Sequence, residues 1–164
     1  ANAGFVAGVH PDQLAGHRAT PSEALDWLET LERSFYQYSQ GFYAPFCKIR
    51  DFIDRTESEG IPETSYPLGL KHAVLWEMIP AFVTHALTEG LRDFNSRIRG
   101  YDQGILLGLE SKTSSPVQVL REPDGACTGF ENLYFAGEGS GYSGGIVSSA
   151  ADGIRIAMNI LNAE

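Results

Sequence analysis

Cysteine is scarce in this chain: Cys47 and Cys127 are the only two, far apart and with no second ligand beside either. A disulfide framework needs several cysteines at short spacings, so none is expected, and the setting reads as reducing and cytoplasmic. Histidine is sparse as well. His10, His17, His72 and His85 fall into no metal-ligand pattern such as H-E-x-x-H. Positive charge is short, with 12 Lys and Arg against 21 Asp and Glu, a formal net charge of −9. A surface that acidic repels phosphate backbones and anionic lipid, which argues against a nucleic-acid partner. No run nears the ~20 apolar residues of a membrane span, and no basic-then-apolar start resembles a signal peptide. An initial methionine is missing too. The start on Ala-Asn-Ala reads as a piece excised from something longer.

What is present is an ordinary globular composition, 43% hydrophobic and 20% charged over 164 residues. One domain is the default at that length and two small ones the limit. Residues 4–9 could form an entering strand. Thr20-Pro21-Ser22-Glu23 is a capping box with proline at the first helical position. Leu25, Leu28, Leu31, Phe35 and Tyr38 follow at helical spacing until Gly41. Residues 42–53 predict a loop and a short helix, 56–64 an exposed connection, and 71–78 another short helix. Pro80 opens a longer helix with Val83, Leu87, Leu91, Phe94 and Ile98 on one face and Gly100 at its end. The period then shortens. Residues 104–110, 116–121 and 133–136 are strand candidates, Glu122-Pro123-Asp124-Gly125 is a turn, and a last helix runs from about 144 to 162. The expected fold is α+β, with a mainly helical region over 1–100 and strands plus a closing strand-loop-helix over 101–164.

The stretch carrying most chemistry is the loop from Gly137 to Gly145, where five of nine residues are glycine. Either its backbone takes left-handed conformations or something large lies against it. A strand, a glycine-rich turn and a helix N-terminus converge free N–H groups and the positive helix pole on one point, an anion site. Gly139-x-Gly141-x-x-Gly144 matches the dinucleotide fingerprint, but the second strand and ribose-binding acid that follow it in a Rossmann unit are missing here. Gly141-Tyr142-Ser143-Gly144-Gly145 matches the nucleophile elbow of a serine hydrolase, yet every histidine precedes Ser143 and that architecture expects its histidine afterwards. A lysine after the glycines, which a P-loop needs, is also lacking. A third reading adds Glu138 as acceptor for a sugar or polyol hydroxyl, with the loop and helix end taking a phosphate. A fourth makes the turn purely structural, in a non-catalytic cap or partner-binding module.

Residues 133–153, Leu-Tyr-Phe-Ala-Gly-Glu-Gly-x-Gly-Tyr-x-Gly-Gly-Ile-x-x-x-Ala-x-Asp-Gly, resemble the C-terminal FAD motif of a family of bacterial FAD-dependent dehydrogenases. Glu110-Ser111-Lys112-Thr113-Ser114-Ser115-Pro116-Val117 is similar to another segment of that family, and residues 44–52 and 79–100 fit it more loosely. The resemblance implies a two-part flavoprotein, an oxidoreductase transferring hydride through the flavin to or from a small-molecule substrate. Its N-terminal Rossmann-like βαβ would grip the adenosine half of FAD. This chain would supply the middle domain and the closing FAD segment, and would expect the N-terminal part of the same protein as its partner. By resemblance Glu138 bonds a ribityl hydroxyl, and Gly139 and Gly141, with Gly137 and Gly144 around them, approach the pyrophosphate. Gly145, Ile146 and Val147 face the flavin edge, and Tyr142 and Ser114 lie on the flavin or substrate side. Taken alone, the chain is then expected to bind FAD weakly or not at all.

Overall fold

A computed structural model describes residues 2–15 and 19–162; His17 lies outside them. In chain order the elements are α1 (Asp12–Ala15), α2 (Pro21–Ser39), β1 (Ala44–Lys48), α3 (Ile49–Asp54), β2 (Leu70–His72), α4 (Leu75–Met78), α5 (Ala81–Arg97), β3 (Ile105–Leu107) and α6 (Ile146–Asn162). Single 3-10 turns lie at Tyr101–Gln103 and Glu138–Ser140. The fold is α+β, as its composition of elements predicted. The chain divides into two compact units, residues 1–19 with 26–111 and residues 20–25 with 112–164.

The helix signals hold at both ends of α2. The Thr20 N–H donates to Glu23 Oε2 at 2.8 Å and the Glu23 N–H donates to Thr20 Oγ1 at 3.3 Å, the reciprocal capping box. At the other end Gln40 takes the left-handed position (φ 58°), and Gly41 follows with a positive φ of 127°. The Gly41 N–H reaches back to Tyr36 O at 3.2 Å and the Gln40 N–H to Gln37 O at 3.2 Å, so the helix closes in a Schellman motif. The buried face runs through Ala24, Leu28, Phe35 and Ser39, while Leu25 and Tyr38 of the expected stripe are exposed. Similarly, α5 stops at Arg97 with Ile98 as an extended cap, and Gly100 (φ 79°) instead opens the following 3-10 turn.

The first unit is built round a three-stranded sheet in the order β2-β1-β3. β1 pairs parallel with β2 (Phe46 opposite His72) and antiparallel with β3 (Cys47 opposite Leu106). Its centre, β1, was expected as loop. Ala-Pro-Phe-Cys-Lys shows no apolar–polar alternation because its first four residues are all buried, and proline is a poor marker of a central strand. Lys71 and His72 were expected to begin a helix over 71–78, but with Leu70 they form a strand. It pairs as β2, and only Leu75–Met78 is helical. Of the strand candidates, 104–110 holds β3. Residues 4–9 form no strand: Phe5 stacks edge-on against Phe94 with ring centres 5.5 Å apart, and its ring takes the space a Cβ on Gly90 would need. That ring contact anchors the segment on α5, away from any strand ladder.

Phe35, Cys47, Ile49, Phe52, Ala73, Leu75 and Leu91 make the core of this unit. Burying each phenylalanine ring contributes about 1.5–3 kcal/mol. Desolvation, with the Asp51 carboxylate nearby, pushes the Cys47 thiol up to about 12. A polar seam runs from the surface into the same core. Arg55 lies over the rings of Phe52 and Trp76 at 5.1 and 5.9 Å and donates to Thr88 Oγ1 at 2.9 Å. Thr88 in turn donates to Thr84 O at 2.8 Å. Both cysteines are free and buried, and no described helix is long and apolar enough to cross a membrane.

Candidate functional site at the start of the last helix

The second unit holds the glycine loop. The predicted turn forms: Gly125 (φ 98°) donates to Glu122 O at 2.9 Å. The segments on either side, residues 116–121 and 133–136, were expected as strands. They make only isolated bridges, Arg121 with Cys127 and Ala126 with Tyr134. The pairing stops there because the chain soon spends its backbone groups on loops, as in Val119 N–H to Ser140 O at 3.1 Å. The turn packs on α6. Ile156, the buried residue of that helix, occupies the space a Cβ on Gly125 would need, and Arg155 and Asn159 donate to Pro123 O and Asp124 O at 2.6 and 3.1 Å.

The loop glycines divide into two kinds. Gly137 and Gly141 have φ of 77° and 80°, and a Cβ on Gly141 would stand 2.5 Å from Val117 O. Backbone conformation favours glycine at both, and packing requires it at Gly141 as well. Gly139 and Gly144 have no such reason. Neither has a left-handed φ, and a Cβ on either would meet nothing within 4 Å. At Gly145 the nearest neighbour is Ser148 Oγ at 3.5 Å, an ordinary contact.

Glu138 is exposed on the 3-10 turn. The first bond of the α6 ladder is Ser149 N–H to Gly145 O at 2.8 Å, so the N–H groups of residues 146–148 precede it. The residues before the helix, Gly144 and Gly145, carry no side chain to cap them. Ile146 and Val147 are 91% and 82% exposed. Ser143 Oγ lies 2.9 Å from Ser149 Oγ, a hydroxyl pair rather than the serine–base contact of a nucleophile. Ser114 is exposed, while its neighbour Ser115 donates to Val117 O at 2.7 Å. Among the described residues no cluster of His, Cys, Asp and Glu could hold a metal.

Beneath the loop is an ion pair that sequence patterning did not single out. Arg121 and Asp152, with side chains 4% and 12% exposed, meet through two hydrogen bonds of 2.8 and 2.9 Å. Arg121 also donates to Phe135 O at 2.6 Å and lies 3.8 Å from the Tyr142 ring centre. Asp152 further accepts the Gly137 N–H at 2.9 Å and Arg155 at 2.9 Å. The Arg121 guanidinium, the Gly137 N–H and Arg155 together hold the Asp152 carboxyl well below the usual carboxylate range, and Arg121 is raised in turn by that carboxylate. A signal was there to be read. Asp152 and Arg155 are the charged residues of an otherwise uncharged α6, and a lone acid on such a helix implies a cation to meet it.

The fit to FAD can be tested on these residues. FAD joins a pyrophosphate to a hydroxylated chain and a flat ring system. The loop offers room at Gly139 and Gly144, an uncapped helix N-terminus for negative charge, and an exposed carboxylate for hydroxyls. The residues present fit that group.

Comparison with known proteins brings the first unit into the account. A chain of Clostridium beijerinckii, described as an uncharacterized protein, is 34% identical over 166 residues, spanning 98% of this chain and 31% of the relative. The chain therefore spans about a third of the length of that relative. Residues 1–113 match a family model described as "FAD-dependent protein, C-terminal domain-like", ending two residues past the first unit at Ser111. The glycine loop lies beyond the match, so it was the rest of the chain that placed the protein. On that match over most of its length, the chain belongs to the family of FAD-dependent proteins with this C-terminal domain.

Proposed function

We propose that this chain is the C-terminal part of a flavin-dependent oxidoreductase and supplies the ribityl, pyrophosphate and flavin-edge side of its FAD site, together with a cap over the substrate. One observation carries the reading. Gly139 and Gly144, which nothing inside the chain requires to be glycine, stand beside the uncapped N-terminus of a 17-residue helix. Family membership supports FAD at the level of the whole protein, and the loop geometry supports where this chain meets it.

In this reading Glu138 accepts a ribityl hydroxyl, and Gly137, Gly139, Gly141 and Gly144 let the backbone approach the pyrophosphate. The N–H groups of Ile146 and Val147, with Gly145 before them, face the flavin edge, and Tyr142 packs on the ring side. When bound, FAD supplies the hydride chemistry. The chain's own residues bind and orient it, and the helix pole stabilises negative charge at its edge. The exposed apolar residues Val147, Ile154, Met158 and Leu161 recur at steps of seven, four and three residues along α6, a stripe against which the N-terminal flavin-binding part of the same protein packs. That the Clostridium beijerinckii relative runs to about three times this length is consistent with such a partner.

A second reading, a non-catalytic cap with a structural turn, draws on Gly137 and Gly141, whose conformation and packing need no ligand. It leaves Gly139 and Gly144 without a reason. Titration of the full-length protein with FAD separates the two. Glu138→Ala is expected to weaken FAD about tenfold, the loss of one hydrogen bond to a charged acceptor. Unchanged affinity would remove Glu138 from the site.

A further inference from the structure

The Arg121–Asp152 pair touches the glycine loop and its entry at three points. Arg121 holds the carbonyl of Phe135 where the loop is entered and lies under the ring of Tyr142 where it is left. Asp152, in the second turn of α6, holds the N–H of Gly137 between them. One buried ion pair thus fastens residues 135–142 to the helix whose N-terminus completes the anion site. Its bonding is full: the two carboxylate oxygens accept both guanidinium bonds, the Gly137 N–H and Arg155. A fully bonded buried pair adds little net stability over well-packed apolar residues, but it specifies one geometry. Three of the eight residues from Phe135 to Tyr142 are glycine, so ordering this segment costs more backbone freedom than ordering one without glycine. Something must hold it before a ligand arrives, or binding loses that ordering cost.

We propose that Arg121 and Asp152 are positioning residues of the flavin site, holding the loop from Phe135 to Tyr142 in its FAD-accepting geometry. This rests on the reading of the loop as an FAD site. Neither residue need touch the cofactor. The fork of Arg121 is what the role requires, because only a planar guanidinium bonds Asp152 twice and covers an aromatic ring at once.

The test uses the full-length protein and FAD itself. Arg121→Lys keeps the charge and gives up the fork and the ring contact. Asp152→Glu keeps the charge and moves the acceptor of Gly137 N–H by one methylene. Each is read by FAD affinity, by the visible circular dichroism of bound flavin at saturation, and by the thermal midpoint of the apoprotein. The expected result is FAD affinity about tenfold weaker and an altered dichroism band, with the apoprotein midpoint within about 5 °C of the parent. A lowered midpoint with affinity and dichroism unchanged would overturn the inference, as would failure of both variants to fold, since either outcome makes the pair a support for the fold alone. A third variant, Gly144→Val, tests the underlying site. If it leaves FAD affinity untouched, the site reading fails and this inference with it. If it abolishes binding while Arg121→Lys and Asp152→Glu do not weaken it, the positioning role alone fails.

Discussion

At the scale of single residues, the informative distinction is between glycines the chain itself requires and glycines it does not. Gly141 is required twice over, by a left-handed φ of 80° and by Val117 O at 2.5 Å from any Cβ. Gly141→Ala should therefore cost about 2 kcal/mol or more in unfolding free energy, combining αL strain with overpacking. Gly139→Ala meets open space at an ordinary φ, so stability should hold or rise by about 0.5 kcal/mol through the stiffer unfolded chain. Its effect should fall on FAD affinity instead. Chemical denaturation of both variants beside a flavin titration checks the contrast, and equal stability losses would contradict it. The count of glycines was legible in the sequence. Which of them face open space was not, because that depends on residues such as Val117 and Gln118, which pack on Gly141 from more than twenty positions away in sequence.

Among elements, α6 and the loop before it behave as one piece because Asp152 bonds both Arg121 and the Gly137 N–H. The Asp152 carboxyl is held below its ordinary range in the folded state, so between its folded pKa and the unfolded value near 3.9 the unfolded chain binds more protons. The stability this pair confers is thus present above about pH 4 and lost as the pH falls through the folded pKa. Asp152→Asn should lower stability at neutral pH by about 3 kcal/mol, since it leaves Arg121 buried without its counter-charge. The same change should flatten the dependence of stability on pH below about pH 4. Urea unfolding from pH 7 down to pH 3 measures both, and an unchanged acid limb would show that other carboxyls set it. Helices were read well at this scale: α2 announces itself through its capping box and period, and α5 through Pro80 and its period. The strands β1 and β2 did not: β1 is buried on both faces and has no alternation to show, and β2 is three half-buried residues, too few to display a period.

For the molecule as a whole, the unanswered surface is the apolar stripe of α6. Ile154, Met158 and Leu161 are 63%, 56% and 72% exposed, and burying each would contribute about 1.5–3 kcal/mol. If the flavin-binding part of the protein packs there, Ile154→Asp combined with Met158→Asp should release flavin from the full-length protein on gel filtration and lower its thermal midpoint. Retained flavin with an unchanged midpoint would mean that the stripe faces solvent. The family match and the stripe come from different halves of the chain: residues 1–113 carry the first and residues 147–161 the second.

The sequence by itself determined the long helices α2, α5 and α6, the turn at 122–125, the α+β class and a glycine loop set against a helix N-terminus. These are local matters, written in caps, turn residues and a period of 3.6. Tertiary structure alone decided that Ala44–Lys48 is the centre of a sheet and that two of the loop glycines face open space. It also brought Arg121 beneath Tyr142 to meet Asp152. Strand pairing, the space around a missing side chain and the partner of a buried charge depend on residues distant in sequence, and no window read along the chain contains them.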